Sequence, residues 1–386
     1  MEKAVKYWMT NPTWLGDGSI EMAGELMQEL GSKKVMIVTD ATLVKIGMVG
    51  RLQEILKKSD IDSVVFDKIM ENPTDTVCIE GAEFAKENGI DGIIALGGGS
   101  PMDAAKAINI LTKNPLPLDQ YYESWNYEKA YPLICIPTTA GTGSENTIWA
   151  VITDTTTHTK RVCFYCPDYA ILDPELTYDL PAAMTANTGM DAFSHAAGSV
   201  TTRDLNPFTQ ALGMEAIRLV VENLPTAVKE PHNKEARRNM MIASNLAGVC
   251  MSPVSCHLDH ALAQCMGAAF HVAHGISCAW SIPEALAEVA NERFDQIKQI
   301  ADIMKVEYTE DEAPRSVGDK VAAACRELMR EVNILPPQHF GITVEDIRGI
   351  AEIMLHDNCY PWIPKEMTIE EIRDFNQRVW ESYLDF

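Results

Sequence analysis

Short apolar runs and helical patterns alternate through the first part of the chain. Two runs, at residues 35–38 and 92–96, are typical of strands that are buried on both faces of a sheet, and residues 63–66 are predicted to form another strand between them. Between them, residues 49–58 and 77–88 have helical spacing. Because strands that alternate with helices in this way form βαβ units, the pattern predicts a parallel sheet.

The pattern changes near Pro181 to long apolar periods of helical type. Apolar residues recur three or four positions apart, as in residues 294–304. Residues 368–371 read Thr-Ile-Glu-Glu, a capping-box signal ahead of a final helix. The sequence therefore predicts an α/β domain over residues 1–181 and an all-helical domain over residues 182–386.

Composition narrows the class of partner. The 386 residues carry a formal net charge of −23, which argues against nucleic acid and anionic membranes because both bind basic surfaces. No apolar run approaches the ~18 residues of a membrane span, and the N-terminus lacks a hydrophobic signal core. The ten cysteines are scattered, several of them in apolar runs, as expected of reduced core thiols. We therefore expect a soluble, cytoplasmic protein.

A candidate metal clamp lies in the first predicted helix of the second half. Asp191 and His195 are four residues apart in a stretch without proline. On a helix their side chains leave the same face, one turn apart, so that both can reach one metal ion.

A second candidate pair, His260 and His274, lies downstream. Fourteen residues on one helix would separate them by about 21 Å, too far to share an ion, so the chain must break between them, and Gly267 and Gly275 are available for the break. A lone histidine is usually a core residue, but four of the nine histidines fall between His257 and His274. One carboxylate and three imidazoles suit Fe²⁺, Zn²⁺ or Mn²⁺.

A candidate phosphate site follows the third predicted strand. Residues 97–106 read Gly-Gly-Gly-Ser-Pro-Met-Asp-Ala-Ala-Lys, in which Ser100 can cap a helix and Asp103 lies in its first turn. Glycines let the backbone approach a bulky anion, and a helix N-terminus offers free N–H groups to a phosphate. A turn that uses glycine for geometry alone remains the alternative interpretation.

Asp40 strengthens the nucleotide interpretation. It lies at the end of the first predicted strand, where a carboxylate can accept hydrogen bonds from a ribose and repel a 2′-phosphate, which favours NAD(H) over NADP(H). Residues 133–145 add a strand and a loop rich in hydroxyls and glycine. The common G-x-G-x-x-G motif does not follow the first strand, so a dinucleotide site must be a variant of the usual one.

Six motifs in order along nearly the whole chain carry a family resemblance. They are Asn-Pro-Thr at residues 72–74, Gly-Gly-Gly-Ser-Pro-Met-Asp-Ala-Ala-Lys at 97–106, Pro-Thr-Thr-Ala-Gly-Thr-Gly-Ser-Glu at 137–145, Asp-Pro-Glu-Leu at 173–176, Thr-Gly-Met-Asp-Ala-Phe-Ser-His at 188–195, and His-Ala-Leu-Ala with a later His-Gly at 260–275. The chain resembles the iron-containing (group III) alcohol dehydrogenases. The resemblance implies a Rossmann-like dinucleotide-binding domain, an all-helical domain in a dehydroquinate synthase-like fold, NAD(H), Fe²⁺ with Zn²⁺ or Mn²⁺ as alternatives, and a homodimer.

The resemblance also assigns residues to roles. It makes four residues the metal ligands: Asp191, His195, His260 and His274. It places the cofactor along a second set: Asp40 and Asn72 at the adenosine, Gly98, Gly99 and Ser100 at the diphosphate, and Thr138, Thr139, Thr142 and Lys160 at the ribose and nicotinamide. Asp103 is a further candidate cofactor-binding residue.

These assignments imply reversible hydride transfer between NAD⁺ and a short-chain primary alcohol. A bound divalent cation would act as a Lewis acid on the alcohol or aldehyde oxygen, and the nicotinamide would carry the redox chemistry. His271 is the nearest candidate for a proton relay in the sequence.

The metal region departs from the common family pattern. Gln264 replaces a frequent histidine, Gly198 replaces a frequent carboxylate, and residues 254–259 are unusually polar. One interpretation is a pocket for a polar or anionic short aldehyde, such as sulfoacetaldehyde or succinic semialdehyde, with His257 or Arg203 as the counter-charge. The other is that His257 and its neighbour Asp259 face solvent or pair with each other.

Two rival classes remain open from the sequence. One is a different enzyme on the same scaffold, such as a relative of dehydroquinate synthase or a dehydrogenase of glycerol or glycerol phosphate. An enzyme that acts on phosphates would be expected to carry more lysine and arginine near the metal than residues 185–200 and 254–275 contain. The other rival is a regulator that binds metal and nucleotide without turnover.

Overall fold

The computed structural model describes residues 7–386, which form two compact units. The sheet unit consists of Met9–Thr139 and Gly143–Tyr178. The helical unit consists of Ala140–Thr142 and Asp179–Phe386, together with residues 7–8. This division differs from a single boundary after residue 181, because residues 7–8, 140–142 and 179–181 belong to the helical unit.

The sheet unit contains one six-stranded sheet in which every neighbouring pair is parallel, in the order β1-β8-β5-β4-β2-β3. A separate antiparallel hairpin is formed by β6 and β7. The eight strands are β1 (Thr13–Leu15), β2 (Lys34–Val38), β3 (Asp62–Phe66), β4 (Gly92–Gly97), β5 (Leu133–Pro137), β6 (Trp149–Asp154), β7 (Thr159–Phe164) and β8 (Tyr169–Leu172).

Helices cover both faces of this sheet. They are α1 (Ala23–Glu29), α2 (Ala41–Lys45), α3 (Met48–Lys58), α4 (Asp75–Asn88) and α5 (Gly99–Lys113). Along β2, Val35 and Ile37 pack into the core under α1 and α3, whereas Met36 and Val38 pack into the core under α4 and α5. Because side chains alternate between two buried faces, a central strand is apolar at nearly every position.

The helical unit contains ten α-helices among the described residues, built around one core. They are α6 (Ala182–Thr201), α7 (Pro207–Lys229), α8 (Lys234–Met251), α9 (Leu258–Phe270), α10 (His274–Glu288), α11 (Phe294–Ile303), α12 (Pro314–Glu331), α13 (Val344–Gly349), α14 (Ala351–Met354) and α15 (Ile369–Glu381). The capping box predicted at Thr368 and Glu371 is present at the start of α15. In residues 7–386, no helix is both long and apolar enough to cross a bilayer.

The predicted fold class is confirmed: a parallel sheet flanked by helices is joined in sequence to a large helical part. The strands predicted at residues 35–38, 63–66 and 92–96 are β2, β3 and β4. Short 3₁₀ turns connect several elements, at Ser19–Met22, Leu118–Tyr121, Ser144–Asn146, Pro174–Thr177, Pro337–Phe340 and Tyr360–Trp362.

Candidate metal centre

Helix α6 supplies the first two candidate ligands, as the spacing predicted. Asp191 and His195 lie one turn apart, and Asp191 Oδ1 is 3.8 Å from His195 Nε2. Both residues are buried, with 3% and 5% of their surface exposed. A carboxylate in such a place is costly unless it is paired with a cation or binds a metal.

The other two candidates come from α9 and α10, and the chain does turn back between them. His260 lies in the first turn of α9, and His274 is the first residue of α10. The break falls at His271, which has a left-handed φ of 54°. The prediction that Gly267 or Gly275 provides the break is wrong, because each lies inside a helix.

Gly275 has a different function, which is to let two helices meet. A Cβ atom at this position would lie 2.2 Å from the carbonyl oxygen of Asn187 in α6. Gly141 approaches the same helix, since a Cβ there would lie 2.6 Å from Thr188. The absence of side chains at these two points brings α10 and residues 140–142 close to the candidate ligands on α6.

The four side chains converge on one point. Nε2 of His195, His260 and His274 lies 3.8, 3.8 and 3.7 Å from the same atom, Asp191 Oδ1. All four donor atoms are within 4.8 Å of one another. Metal–ligand distances of 2.0–2.2 Å give separations of about 3.3–3.6 Å between ligands of a tetrahedral site, so the cluster is close to the size that one ion needs.

A second observation supports the same fit. Asp191 Oδ1 is buried and accepts no hydrogen bond from any described residue. Buried polar atoms nearly always have a partner, so this oxygen indicates a place for a cation. Of the four candidates, only His274 has substantial exposure, with 32% of its side chain accessible.

In two of the histidines, the ring nitrogen that faces away from Asp191 contacts an oxygen atom. His195 Nδ1 is 3.3 Å from the Gly141 carbonyl oxygen, and His260 Nδ1 is 2.6 Å from Asp259 Oδ2. If each Nδ1 donates its proton to that oxygen, each Nε2 keeps its lone pair toward Asp191.

Burial and neighbouring charges shift the pKa values of Asp191, His195 and His260 in opposite directions. Burial lowers the pKa of His195, which favours the neutral imidazole that a metal needs. Burial alone would raise the pKa of Asp191, but the three imidazoles outweigh it and lower that pKa. For His260, the carboxylates of Asp259 and Asp191 outweigh burial and raise the pKa.

Of the two arrangements that the sequence left open for His257 and Asp259, exposure to solvent is wrong and pairing with each other is confirmed, since His257 Nδ1 lies 3.9 Å from Asp259 Oδ1. Both are fully buried, and His257 Nε2 is 2.9 Å from Thr201 Oγ1. Burial lowers the pKa of His257 to about 4, so this residue is uncharged near neutral pH and cannot be a counter-charge for an anionic substrate. Arg203 is about half exposed and lies 3.6 Å from Asp204.

Sequence reasoning missed Cys278, which touches the cluster. Its Sγ lies 3.6 Å from Nε2 of His260 and 3.5 Å from Nε2 of His274. The signal was present, because Cys278 follows His274 by four residues on one helix and therefore shares its face. A sulfur atom at this distance places a soft donor beside the imidazoles.

The predicted diphosphate residues lie at the start of α5. Gly98 is the N-cap in an extended conformation, and a Cβ on it would meet nothing closer than 3.5 Å. Ser100 lies inside the helix, so the prediction that it caps the helix is wrong. Asp103 accepts hydrogen bonds from Ser144 Oγ at 2.6 Å and from the Val151 amide at 3.1 Å, so its cofactor contact remains a prediction.

The remaining cofactor candidates lie in the segment after β5 and in β7. Thr138 is buried in the sheet unit, and Thr139 Oγ1 is buried there without a hydrogen-bond partner among the described residues. Thr142 belongs to the helical unit, and Lys160 lies in β7. An unpaired buried hydroxyl is consistent with a ligand contact at Thr139.

At the other end of the predicted cofactor site, Asp40 is the N-cap of α2. Its Oδ1 accepts from the amides of Thr42 and Leu43 at 2.8 and 3.1 Å. Asn72 is exposed and has a left-handed φ of 56°. His271, the predicted proton relay, is exposed at the end of α9, and its role remains a prediction.

The fold and the cluster together define a class of protein. A parallel α/β unit carries a glycine-rich turn into a helix, and an all-helical unit carries a buried carboxylate with three imidazoles. This is a protein of the α/β plus all-α class with a candidate metal site.

Known proteins identify the family. A model described as iron-containing alcohol dehydrogenase matches residues 11–174, and one for the C-terminal part of the Fe-containing alcohol dehydrogenase family matches residues 185–380. Lactaldehyde reductase of Escherichia coli (strain K12) is 33% identical over 381 residues, which cover 96% of this chain and 98% of that protein.

Two solved structures agree with this. Alcohol dehydrogenase from Oenococcus oeni has a TM-score of 0.93 and 33% identity, covering 98% of this chain and 100% of that one. Sulfoacetaldehyde reductase from Bifidobacterium kashiwanohense, solved in complex with NAD⁺, has a TM-score of 0.85 and 26% identity with the same coverage.

The chain belongs to the iron-containing alcohol dehydrogenase family. The predicted enzyme class, an oxidoreductase of alcohols and aldehydes, is confirmed, and so is the predicted use of NAD(H) and iron.

Proposed function

We propose that this protein interconverts a short-chain primary alcohol and its aldehyde with NAD(H), at a metal held by Asp191, His195, His260 and His274. The observation that carries the proposal is the convergence of three Nε2 atoms on the buried, unpartnered Asp191 Oδ1. We also propose a cytoplasmic homodimer, as expected from the sequence.

The chain's own residues prepare this site. Asp191 would supply negative charge that offsets the charge of a divalent cation, and a substrate oxygen would join the four protein ligands as a fifth. A divalent cation bound there supplies Lewis acidity toward that oxygen. The Gly141 carbonyl and the Asp259 carboxylate hold two of the imidazoles in orientation.

We propose that the cofactor's diphosphate binds at the N-terminus of α5, where Gly98 leaves room for an anion and the amides of the first turn point outward. Asp40 would accept from the adenosine ribose through Oδ2, while Oδ1 caps α2. His271 is proposed as a relay that carries a proton to solvent, since it is exposed.

The test follows absorbance at 340 nm with ethanol, propanol, butanol and their aldehydes. Chelated protein should lose turnover and regain it on addition of Fe²⁺, Zn²⁺ or Mn²⁺, and the ion that restores most activity identifies the preferred metal. Tight NADH binding without turnover, in protein shown to contain metal, would contradict the proposal and favour a regulator.

A polar or anionic short aldehyde is the second candidate substrate. It is favoured by similarity to a protein named sulfoacetaldehyde reductase. Since His257 is uncharged, Arg203 is the remaining cation that the sequence suggested, and it is paired with Asp204. A kcat/KM for sulfoacetaldehyde above that for propanal, and a selective loss in Arg203→Gln, would support this candidate; a clear preference for propanal would exclude it.

A further inference from the structure

A buried carboxylate lies directly behind one of the candidate ligands. Asp259 is 0% exposed and precedes His260 in the sequence. Its Oδ2 accepts from Ser194 Oγ at 2.7 Å and lies 2.6 Å from His260 Nδ1. The amide of His257 donates to Oδ1 at 3.3 Å.

These contacts fix the carboxylate from two helices. Ser194 belongs to α6, which also carries two ligands, whereas His260 belongs to α9. Taking a carboxylate out of water costs several kcal/mol unless hydrogen bonds replace the lost solvation. The short distances to Ser194 and His260 are those of charge-assisted bonds, so the position of Asp259 is well determined.

Helix α6 also provides the space that this carboxylate occupies. A Cβ atom on Gly198 would lie 3.0 and 3.1 Å from Oδ2 and Oδ1 of Asp259. Ser194 and Gly198 are four residues apart and thus share one face of the helix. One face of α6 therefore offers Asp259 a hydrogen-bond donor, Ser194, and space for its carboxylate at Gly198.

Asp259 cannot itself bind the same ion as Asp191. Its Oδ2 contacts Nδ1 of His260, whereas Nε2 of that ring is the atom that lies 3.8 Å from Asp191 Oδ1. The two nitrogens point in different directions from the ring. Asp259 therefore acts on the metal site through the imidazole of His260.

We propose that Asp259 is a positioning residue for His260. The Nδ1–H group donates to the carboxylate, which fixes the tautomer, aims Nε2 at the metal position and makes it a stronger donor. Such carboxylate–histidine pairs typically change metal affinity 10–100-fold. The inference rests on the proposed function insofar as it takes these four residues to hold the metal.

The test measures metal affinity rather than turnover. Metal-stripped wild type and Asp259→Asn are titrated with Zn²⁺ against a fluorescent chelator, and with Co²⁺ by visible absorption. We expect Asp259→Asn to bind both ions 10–100-fold more weakly and its Co²⁺ spectrum to shift, with NADH affinity unchanged. Glu284→Gln removes another buried carboxylate from the helical unit, one that is paired with Arg326 at 3.0 Å, and should leave metal affinity unaltered.

Gly198→Ala tests the same idea without changing a polar group. Its methyl group would push the Asp259 carboxylate aside, so metal affinity should again fall. Gly267→Ala is the matched control, because a Cβ there meets nothing closer than 3.6 Å. If Asp259→Asn does not fold, the Gly198→Ala result decides.

The outcomes separate this inference from the proposed function. If Asp259→Asn binds metal as tightly as wild type, the role of Asp259 is overturned; if that variant does not fold, the same result in Gly198→Ala overturns it. The metal site itself is still supported in that case, provided that His260→Ala loses metal. Metal affinity in His260→Ala equal to that of wild type would instead overturn the metal site, and the positioning role with it.

Discussion

Gly275 lies so close to Asn187 that a Cβ atom on it would be 2.2 Å from the Asn187 carbonyl oxygen. This contact joins the first turn of α10 to α6 at the point where each helix carries a candidate ligand. The position of His274 opposite Asp191 thus depends on a residue without a side chain.

Gly275→Ala should therefore separate the two helices. Overpacking of this kind typically costs ~1–3 kcal/mol, so the free energy of unfolding, measured with urea, should fall by about that amount. Gly267→Ala, in α9, should be neutral or slightly stabilising because its methyl group has room. Equal stability of Gly275→Ala and wild type would mean that the helices tolerate separation.

Asp40 should set cofactor preference through its charge. Asparagine caps a helix about as well as aspartate, so Asp40→Asn should keep its stability while the ratio of kcat/KM with NADP⁺ to that with NAD⁺ rises about tenfold or more. Asp40→Ala also loses the cap and should unfold more easily by about 1 kcal/mol. An unchanged cofactor ratio in Asp40→Asn would show that its carboxylate does not face the ribose.

Buried thiols should weaken the fold in alkali. Burial raises the pKa of Cys325 to about 12 from an ordinary value of 9.0. The protonated thiol of Cys325 therefore contributes fully to the free energy of unfolding below pH 9. This contribution is lost as pH rises toward 12, because only the unfolded chain then releases the thiol proton. The slope is about 1.4 kcal/mol per pH unit for this one group.

The check on Cys325 is a series of urea denaturations from pH 8 to pH 11. Cys325→Ala lowers stability throughout, since it leaves a cavity in the core, but its stability should fall less steeply above pH 9 than that of wild type. Parallel curves for the two proteins would argue against a buried, protonated thiol.

The central strands were predictable because burial on two faces makes them continuous apolar runs, as at Val35 to Val38. The hairpin β6–β7 was not predicted, because its strands are only partly buried and do not form continuous apolar runs. The predicted position of the break between α9 and α10 was wrong, because a left-handed residue other than glycine, here His271, leaves no sequence signal.

The convergence of the four candidate ligands could be predicted because their spacing and motifs are local in sequence, and their binding of a metal stays a prediction. The proposed role of Asp259 in positioning His260 could not be predicted, although the polar residue itself was noted in the sequence. Whether a polar residue faces solvent or a neighbouring helix depends on packing, here on Ser194 and Gly198 sixty or so residues earlier in the chain. The contact of Cys278 with His260 depends on packing in the same way, whereas its contact with His274 follows from their spacing of four residues on α10.

The most direct test of the metal site is Asp191→Asn, which keeps the shape of the side chain and removes its charge. We predict that wild-type protein reconstituted with Fe²⁺ holds about one ion per chain, and that Asp191→Asn binds iron more than about 100-fold more weakly. Its aldehyde reduction should fall with metal content while NADH binding persists. A variant with wild-type metal content and turnover would contradict the assignment of Asp191, and with it the site.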